Sequence, residues 1–364
     1  MIPVMQPLLP TFEEVSPWLR RMDQSRTYTN LGPLVSELES RHAARLGVSP
    51  AQVVSSANAT LALTGAIALS AADSWIVPDF TFPASGHAVL LAGRHLVLSD
   101  VRDGDWQLDV SSMPSDYLLG IMPVLPFGAP LKLDEWESFP NVVVDAAASL
   151  GADEWNLNDL PETWAVVFSL HATKILPAGE GGLAVFGSTD QARRFRAWSN
   201  FGFAGTRRST IAGTNAKMAE MTAAYGLASL ERWMLEREQW SSNLSVANEI
   251  TAELGLLTPV QRYKGVHPYW IIQLRDTEER EAVATGLESL GVETRQWWPT
   301  PLHRMPAFQE VDRNSDSPVA SRLAATTLGL PMYRGLSADQ IREIGEKLKA
   351  VLRSHRNINS PRTL

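Results

Sequence analysis

Short apolar runs alternate with helical patterns along the first part of the chain. Residues 75–79, 142–145 and 165–168 are apolar runs of strand length, and residues 60–71 form an Ala-rich helical pattern between strand-like segments. Strands that are buried on both faces have continuous apolar sequence, and strands that alternate with helices build doubly wound parallel sheets. The pattern predicts an α/β fold with a large, mostly parallel sheet and helices on both faces.

A smaller C-terminal domain of α+β type is predicted after a long helical pattern over residues 227–254. It contains a predicted strand at 269–274, a helix at 278–290, a second strand at 293–297 and a closing helix at 339–352. We place the boundary near residue 240. Residues 1–240 then form the large domain with an extended N-terminal arm, and residues 241–364 form the small one.

Composition excludes several functional classes. The chain has 364 residues, a net charge of −8 and no cysteine, so disulfides and thiolate metal sites are excluded. The negative charge argues against nucleic acid or an anionic membrane as a partner. No apolar run approaches the ~20 residues that span a bilayer, and residues 1–10 lack a basic signal region, which favours the cytoplasm. No metal-binding cluster is recognisable.

Two residues at the ends of apolar runs suggest a cofactor. Lys174 follows the run 165–168 and precedes a glycine-rich turn, and Asp145 ends the run 142–145. A desolvated lysine amine loses its charge easily and then attacks aldehydes, which makes Lys174 a candidate Schiff-base lysine for pyridoxal phosphate (PLP). A carboxylate at the end of a neighbouring strand would keep the pyridine nitrogen of PLP protonated. Alone, Lys174 reads as a solvated surface lysine; with Asp145, the PLP interpretation prevails.

The motifs around these residues resemble a known family. Asp145 opens DAAAS, and Ser169, His171 and Lys174 lie in SLHATK, which is followed by GEGG. These motifs resemble those of the DegT/DnrJ/EryC1/StrS family of PLP-dependent sugar-nucleotide aminotransferases. The resemblance implies the type I aminotransferase fold, an amino-acid donor that is usually glutamate, and a homodimer with shared active sites. It also implies a step in deoxyamino-sugar synthesis, such as that of lipopolysaccharide O-antigen.

The resemblance assigns cofactor contacts to further residues. Ala59 and Thr60 align with the segment that binds the PLP phosphate, where the amides of a helix N-terminus suit an anion, although Asn58 or Thr60 also reads as a simple helix cap. Phe82 aligns with the ring that stacks on PLP, and Ser169 with a cofactor contact. Asn215 aligns with an asparagine that reaches the phosphate of the partner subunit.

One departure from the family pattern follows Asp145. The family commonly has glutamine and histidine at positions where this chain has Ala148 and Leu150. The glutamine usually reaches the ring hydroxyl of PLP. The resemblance therefore implies that this contact is absent or supplied by another residue.

The segment 293–299 is a candidate binding segment for the substrate. Arg295, Trp297 and Trp298, with His303 and His171, would bind the sugar nucleotide, because indoles stack on sugar rings and a guanidinium pairs with diphosphate. The alternative is that the tryptophans belong to the core. The ETRQWW sequence resembles that of the subgroup that makes dTDP-4-amino-4,6-dideoxyglucose from the 4-keto-6-deoxy sugar. A 3-keto sugar and UDP- or GDP-linked sugars remain alternatives.

Other functional classes fit less well. A nicotinamide dehydrogenase would need a G-x-G-x-x-G sequence between a strand and a helix, which the chain lacks. A non-catalytic PLP-binding regulator is disfavoured by the charge and the lack of a DNA-binding motif. A related dehydratase branch has histidine in place of the lysine, whereas Lys174 is present here.

Overall fold

A computed structural model describes residues 1–111, 119–130, 132–153, 155 and 157–358. The helices in this part of the chain are α1 (Phe12–Ser25), α2 (Pro33–Leu46), α3 (Ala59–Ala68), α4 (Pro83–Leu91), α5 (Thr189–Trp198), α6 (Glu220–Glu253), α7 (Thr277–Ser289), α8 (Pro318–Thr326) and α9 (Ala338–Ile358). The strands are β1 (Val53–Ser56), β2 (Ser74–Pro78), β3 (His95–Ser99), β4 (Leu119–Ile121), β5 (Asn141–Asp145), β6 (Ala165–Ser169), β7 (Gly182–Phe186), β8 (Trp270–Gln273), β9 (Asp312–Arg313) and β10 (Thr327–Leu330).

In the described part of the chain, eight strands form one sheet in the order β1-β7-β6-β5-β4-β2-β3-β9. The neighbours from β6 to β9 are parallel, whereas β7 runs antiparallel to both β6 and β1. The prediction of a large, mostly parallel sheet is confirmed. The antiparallel β7 follows from the glycine-rich hairpin, which reverses the chain directly after β6 without a crossover helix.

Both faces of this sheet are covered. Val142 and Val144 of β5 point into the cluster that contains apolar residues of α1, α2 and α6. Val143, between them, points into a second cluster with α3, α4 and α5. Successive side chains of a strand face opposite sides, so a strand between two helical layers must be apolar at every position. This explains the continuous apolar runs in the sequence.

The C-terminal part contains a separate two-stranded sheet of β8 and β10, which are antiparallel. α7 packs on α9, and α6 packs on α9 as well. The helix α6 passes residue 240 without interruption. A division of the chain there stays a prediction, with α6 as the element common to both parts.

The predicted strand at 293–297 is wrong. This segment makes only isolated bridges, with Arg295 and Gly329 exchanging backbone hydrogen bonds of 3.0 and 2.7 Å. The indole of Trp297 crosses Gly329 so closely that a Cβ on the glycine would lie 2.3 Å from the indole nitrogen. The N–H of Glu293 donates to the carbonyl of Ile2 at 2.9 Å, so the backbone hydrogen bonds of this segment are divided between two partners and form no continuous ladder.

The helix α6 begins at Glu220, and this residue also caps α2. The carboxylate of Glu220 is fully buried and accepts the backbone N–H groups of Leu34 and Val35 at 2.8 and 2.9 Å. These amides belong to the first turn of α2, whose N-cap Gly32 provides no side chain. A carboxylate from a distant element therefore caps α2 and fixes the first turn of α6.

Candidate active site

The carboxyl ends of the parallel strands form the edge at which the predicted site residues gather. Asp145 is the last residue of β5, and Ser169 is the last residue of β6. Because β7 runs in the opposite direction, its first residue, Gly182, pairs with Ser169 at this same edge. Lys174 lies in the connection between β6 and β7. The topology thus brings Asp145 and Lys174 to one end of the sheet, as expected from the sequence.

Asp145 is buried and held in one orientation. The hydroxyl of Ser85, in the first turn of α4, donates to its Oδ2 at 2.7 Å, and the N–H of Ala147 donates to Oδ1 at 3.1 Å. Burial raises the pKa of the Asp145 carboxyl, while the two hydrogen bonds and the charge of Lys174 act in the opposite direction. A second positive charge beside the carboxylate would offset its burial, which suits a partner such as a pyridinium.

Lys174 lies in a compact turn and is half-buried. Its backbone N–H donates to the carbonyl of His171 at 2.9 Å, and Ala178 closes the turn by donating to Leu170 at 2.7 Å. The Nζ of Lys174 donates to the hydroxyl of Tyr269 at 3.0 Å and lies 5.6 Å from the centroid of that ring. The side chain is therefore directed to specific partners, unlike that of a solvated surface lysine.

The N-terminus of α3 packs against the hairpin that carries Lys174. The side chain of Asn58 accepts the N–H of Leu61 at 2.9 Å, which makes it the helix cap, and the amides of Ala59 and Thr60 precede the capped one. A Cβ at Gly182 would lie 2.6 Å from the carbonyl oxygen of Asn58 and 2.8 Å from the nitrogen of Ala59. Glycine is required for this close approach. The first turn of α3 is therefore presented at the same edge as Asp145.

Three further predicted residues lie around this edge. Ser169 is buried, and its hydroxyl accepts the N–H of His171 at 3.2 Å. The ring of His171 is bonded through Nδ1 to the hydroxyl of Thr173 at 2.9 Å. Phe82, immediately before α4, is 59% exposed. Their binding roles stay predictions.

Asn215 lies beside α3 of its own chain. Its side-chain oxygen accepts Lys217 Nζ at 2.7 Å, and the next carbonyl, that of Ala216, accepts the N–H of Ala57 at 2.8 Å. The side chain of Asn215 is exposed. A contact to the phosphate of a partner subunit stays a prediction.

An aromatic cluster lies next to Lys174 and comprises Phe80, Trp106, Phe127, Tyr269, Trp297 and Trp298. Trp298 stacks on Phe127 with centroids 4.3 Å apart, whereas Trp297 meets Tyr269 edge-to-face at 5.4 Å. The guanidinium of Arg295 lies 5.2 Å from the centroid of Trp297. The two tryptophans are partly buried and pack against the buried residues of this cluster. Through Tyr269, the same cluster reaches Lys174.

His303 is bonded to a buried aspartate, Asp79, which follows β2. The carboxylate of Asp79 accepts the backbone N–H of His303 at 2.8 Å and is also paired with its ring Nδ1. Asp79 is fully buried. The pair fixes the orientation of the His303 ring at the edge from which β2 and β5 present their last residues.

Comparison with known proteins identifies the family. The model of the DegT/DnrJ/EryC1/StrS aminotransferase family matches residues 12–349. The chain belongs to this family. The resemblance found in the sequence motifs is therefore confirmed, as is the fold. A crystal structure of a putative PLP-dependent aminotransferase from Bacillus cereus has a TM-score of 0.86 at 26% identity, over 96% of this chain and 99% of that one.

Two relatives show the range of substrates among similar proteins. A dTDP-4-amino-4,6-dideoxy-D-glucose transaminase from Shigella dysenteriae is 26% identical over 96% of this chain and 98% of its own. A GDP-perosamine synthase from Caulobacter vibrioides is 28% identical over 89% and 91%. The structure of DesI in the presence of its TDP-sugar product has a TM-score of 0.85 at 29% identity, covering 98% and 94% of the two chains.

The site fits the cofactor of the family. The family and its structural relatives are PLP-dependent aminotransferases, which confirms PLP as the cofactor. Lys174 offers the amine, buried Asp145 offers the anion for the ring nitrogen, and the first turn of α3 offers amides for the phosphate. At position 148 the side chain ends at a methyl group that packs against the aromatic cluster. The family's glutamine contact has no counterpart there.

Sequence reasoning missed three residues of this aminotransferase site: Ser85, which bonds Asp145; Asp79, which bonds His303; and Tyr269, which bonds Lys174. Asp79 and Ser85 flank the Phe82 segment that the sequence had already singled out. Tyr269 had no such signal, because it lies 95 residues from Lys174.

Within the described ranges, no group of three or more His, Asp or Glu side chains is arranged to hold a metal ion. In the same part of the chain, no helix has the length and apolarity to cross a membrane.

Proposed function

We propose that the protein transfers an amino group from L-glutamate to a keto-sugar nucleotide, with dTDP-4-keto-6-deoxyglucose as acceptor and dTDP-4-amino-4,6-dideoxyglucose as product. The observation that carries the proposal is the placement of Lys174 and buried Asp145 at one sheet edge, beside an aromatic wall. The name of the relative from Shigella dysenteriae and the TDP-sugar product of DesI support a dTDP-linked sugar.

When bound, PLP supplies an aldehyde that takes up the amino group and a pyridine ring that withdraws electrons. Lys174 holds the cofactor in the resting enzyme. As a free, neutral amine, the Nζ of Lys174 would take the proton from the α-carbon of the donor as general base and return it as general acid. Asp145, fixed by Ser85 and Ala147, holds the proton on the ring nitrogen. The first turn of α3, with Ala59 and Thr60, binds the phosphate.

The sugar nucleotide is assigned to the aromatic side of the site. Arg295 and Trp297 lie together, and Trp297 contacts Tyr269 next to Lys174, so a sugar ring against this indole would have its keto carbon near the amine. Trp298 stacks on Phe127 of the same aromatic cluster. His303, oriented by Asp79, and His171 complete the assigned contacts.

A second candidate acceptor is a GDP-linked keto-sugar. The GDP-perosamine synthase from Caulobacter vibrioides is as similar to this chain as the dTDP-sugar transaminase from Shigella dysenteriae is, at 28% and 26% identity. UDP-linked and 3-keto sugars are the remaining alternatives.

The test is an amination assay with glutamate on a panel of keto-sugar nucleotides, with 2-oxoglutarate release as the readout and Lys174→Ala protein as the control. We expect turnover with the dTDP-linked 4-keto sugar. Turnover only with a GDP-linked, UDP-linked or 3-keto sugar would replace the proposed acceptor and retain the aminotransferase. Turnover with free keto acids but with no nucleotide sugar would refute the substrate class.

The proposed active unit is a cytoplasmic homodimer in which Asn215 contacts the phosphate of the partner subunit's cofactor. The side chain of Asn215 and the rings of Phe82 and Phe201 are exposed in the single chain. This exposure supports a subunit contact near the site. The proposed domain division near residue 240 would place this surface in the larger part.

A further inference from the structure

The loss of the family's glutamine leaves one cofactor contact to be supplied by another residue. In this chain position 148 is alanine, and its methyl group packs against the aromatic cluster. Tyr269 belongs to the same cluster and is the member that bonds Lys174. The question is therefore whether its hydroxyl takes over the function of the missing amide.

We infer that the hydroxyl of Tyr269 replaces that amide as the hydrogen-bond donor to the ring oxygen of PLP. This inference rests on the proposed function only in that Lys174 binds the cofactor. Tyr269 Oη lies 3.0 Å from Lys174 Nζ, the atom that becomes bonded to the aldehyde carbon of PLP. The ring oxygen of PLP is attached to the ring carbon next to the one that carries this aldehyde. A donor beside Nζ is therefore within reach of the ring oxygen.

The hydrogen-bonding capacity of the hydroxyl fits this role. A phenol has one donor and can also accept. In the free protein the oxygen accepts from Lys174, and its own proton is not used in that bond. When Lys174 is bound to the aldehyde, the amine has fewer protons to donate, and the ring oxygen carries negative charge. A hydrogen bond to a charged acceptor is stronger than one between neutral groups.

The surroundings hold the hydroxyl in place. The Tyr269 residue is 8% exposed and immediately precedes β8. Its ring packs edge-to-face on Phe127 with centroids 5.3 Å apart and on Trp297 with centroids 5.4 Å apart. Neither contact uses the hydroxyl. A ring locked on two sides presents its one polar atom with little loss of side-chain entropy on binding.

Tyr269→Phe tests the inference, because it removes the hydroxyl and retains the ring. The readout is the pH midpoint of the visible absorbance of the lysine-bound cofactor, measured without substrate. A hydrogen bond donated to the ring oxygen withdraws negative charge from it. That charge would otherwise stabilise the protonated nitrogen by which Lys174 is bonded to the cofactor. We expect the midpoint to rise by about one pH unit and the dissociation constant of PLP to rise about tenfold.

The matched control is Tyr263→Phe. Tyr263 packs at the edge of the same cluster, but its hydroxyl donates to the carbonyl of Asp105 at 3.2 Å. This variant should keep the wild-type midpoint. Ala148→Gln combined with Tyr269→Phe should move the midpoint back towards that of the wild type, because the amide returns a donor.

An unchanged midpoint in Tyr269→Phe would overturn the inference. A lowered midpoint would also overturn it, since it would show that the hydroxyl accepts from the nitrogen and does not donate to the ring oxygen. Both outcomes leave the aminotransferase intact. If wild-type protein formed no absorbance band that borohydride reduction traces to Lys174, the cofactor assignment itself would fail.

A second measurement compares two ligands on the wild-type protein, so its main result does not depend on whether a variant folds. The analogue 3-deoxypyridoxal phosphate lacks the ring oxygen. After correction for the reactivity of each aldehyde with butylamine, the wild type should bind the analogue about tenfold more weakly than PLP. Equal binding would show that no group of the protein holds the ring oxygen and would refute the inference. In Tyr269→Phe the difference between the two ligands should disappear.

Discussion

Ser85 is expected to set the strength with which Asp145 holds the ring nitrogen of the cofactor. Its hydroxyl donates to the carboxylate at 2.7 Å and is itself 2.9 Å from the hydroxyl of Thr81. A hydrogen bond to a charged group contributes about 1.5–3 kcal/mol. Ser85→Ala removes it and raises the pKa of the Asp145 carboxyl further, because burial is then opposed by one hydrogen bond fewer.

If this energy is expressed in the rate-limiting proton transfer, the glutamate half-reaction should slow by about 10- to 100-fold, since each 1.36 kcal/mol is tenfold in rate. The acidic limb of its pH profile should move to higher pH, because the carboxyl then needs a higher pH to ionise. The assay is stopped-flow absorbance of the cofactor after mixing with glutamate.

The matched control is Ser70→Ala. Ser70 also donates its hydroxyl to a residue of β5, but at the opposite end of the strand, where it bonds Asn141 at 3.0 Å. It should retain the wild-type rate and profile. A Ser85→Ala protein with an unchanged rate and an unchanged acidic limb would refute the reasoning, and would show that the Ala147 amide alone fixes the carboxylate.

The remaining predictions concern the cofactor, the assembly and the fold. Lys174→Ala should lose the visible band and turnover, and mixing it with Asn215→Ala protein should restore part of the activity if dimers share sites; an active monomer in sedimentation would contradict this. Asp145→Asn should raise the melting temperature of cofactor-free protein at neutral pH. Because the pKa of the Asp145 carboxyl is raised in the folded protein, its contribution to stability is fully present below pH 3.8 and is lost as the pH rises. The difference in melting temperature between the variant and the wild type should therefore disappear in acid. A difference that is independent of pH would contradict the reasoning. Glu220→Gln should lower the free energy of unfolding by about 1–3 kcal/mol in urea titration, because one amide of α2 loses its acceptor; an unchanged midpoint would show that water replaces the cap.

The sequence alone determined the sheet and the two residues at its edge. Continuous apolar runs imply strands with both faces covered, and an abrupt polar residue at the end of such a run implies a site at the carboxyl edge. Asp145 and Lys174 satisfied this reasoning because each lies within a few residues of its strand. Local sequence is sufficient when the function of a residue depends on where its own strand ends.

Tertiary structure decided which partners these residues have. Tyr269, just before β8, reaches Lys174 across 95 residues, and Asp79 reaches His303 across 224 residues. No local pattern encodes either contact. The predicted strand at 293–297 failed for the same reason, because the backbone N–H groups of Glu293 and Arg295 bond two distant partners, Ile2 and Gly329. Burial in an aromatic cluster and pairing in a ladder favour the same residue types, and only the fold distinguishes them.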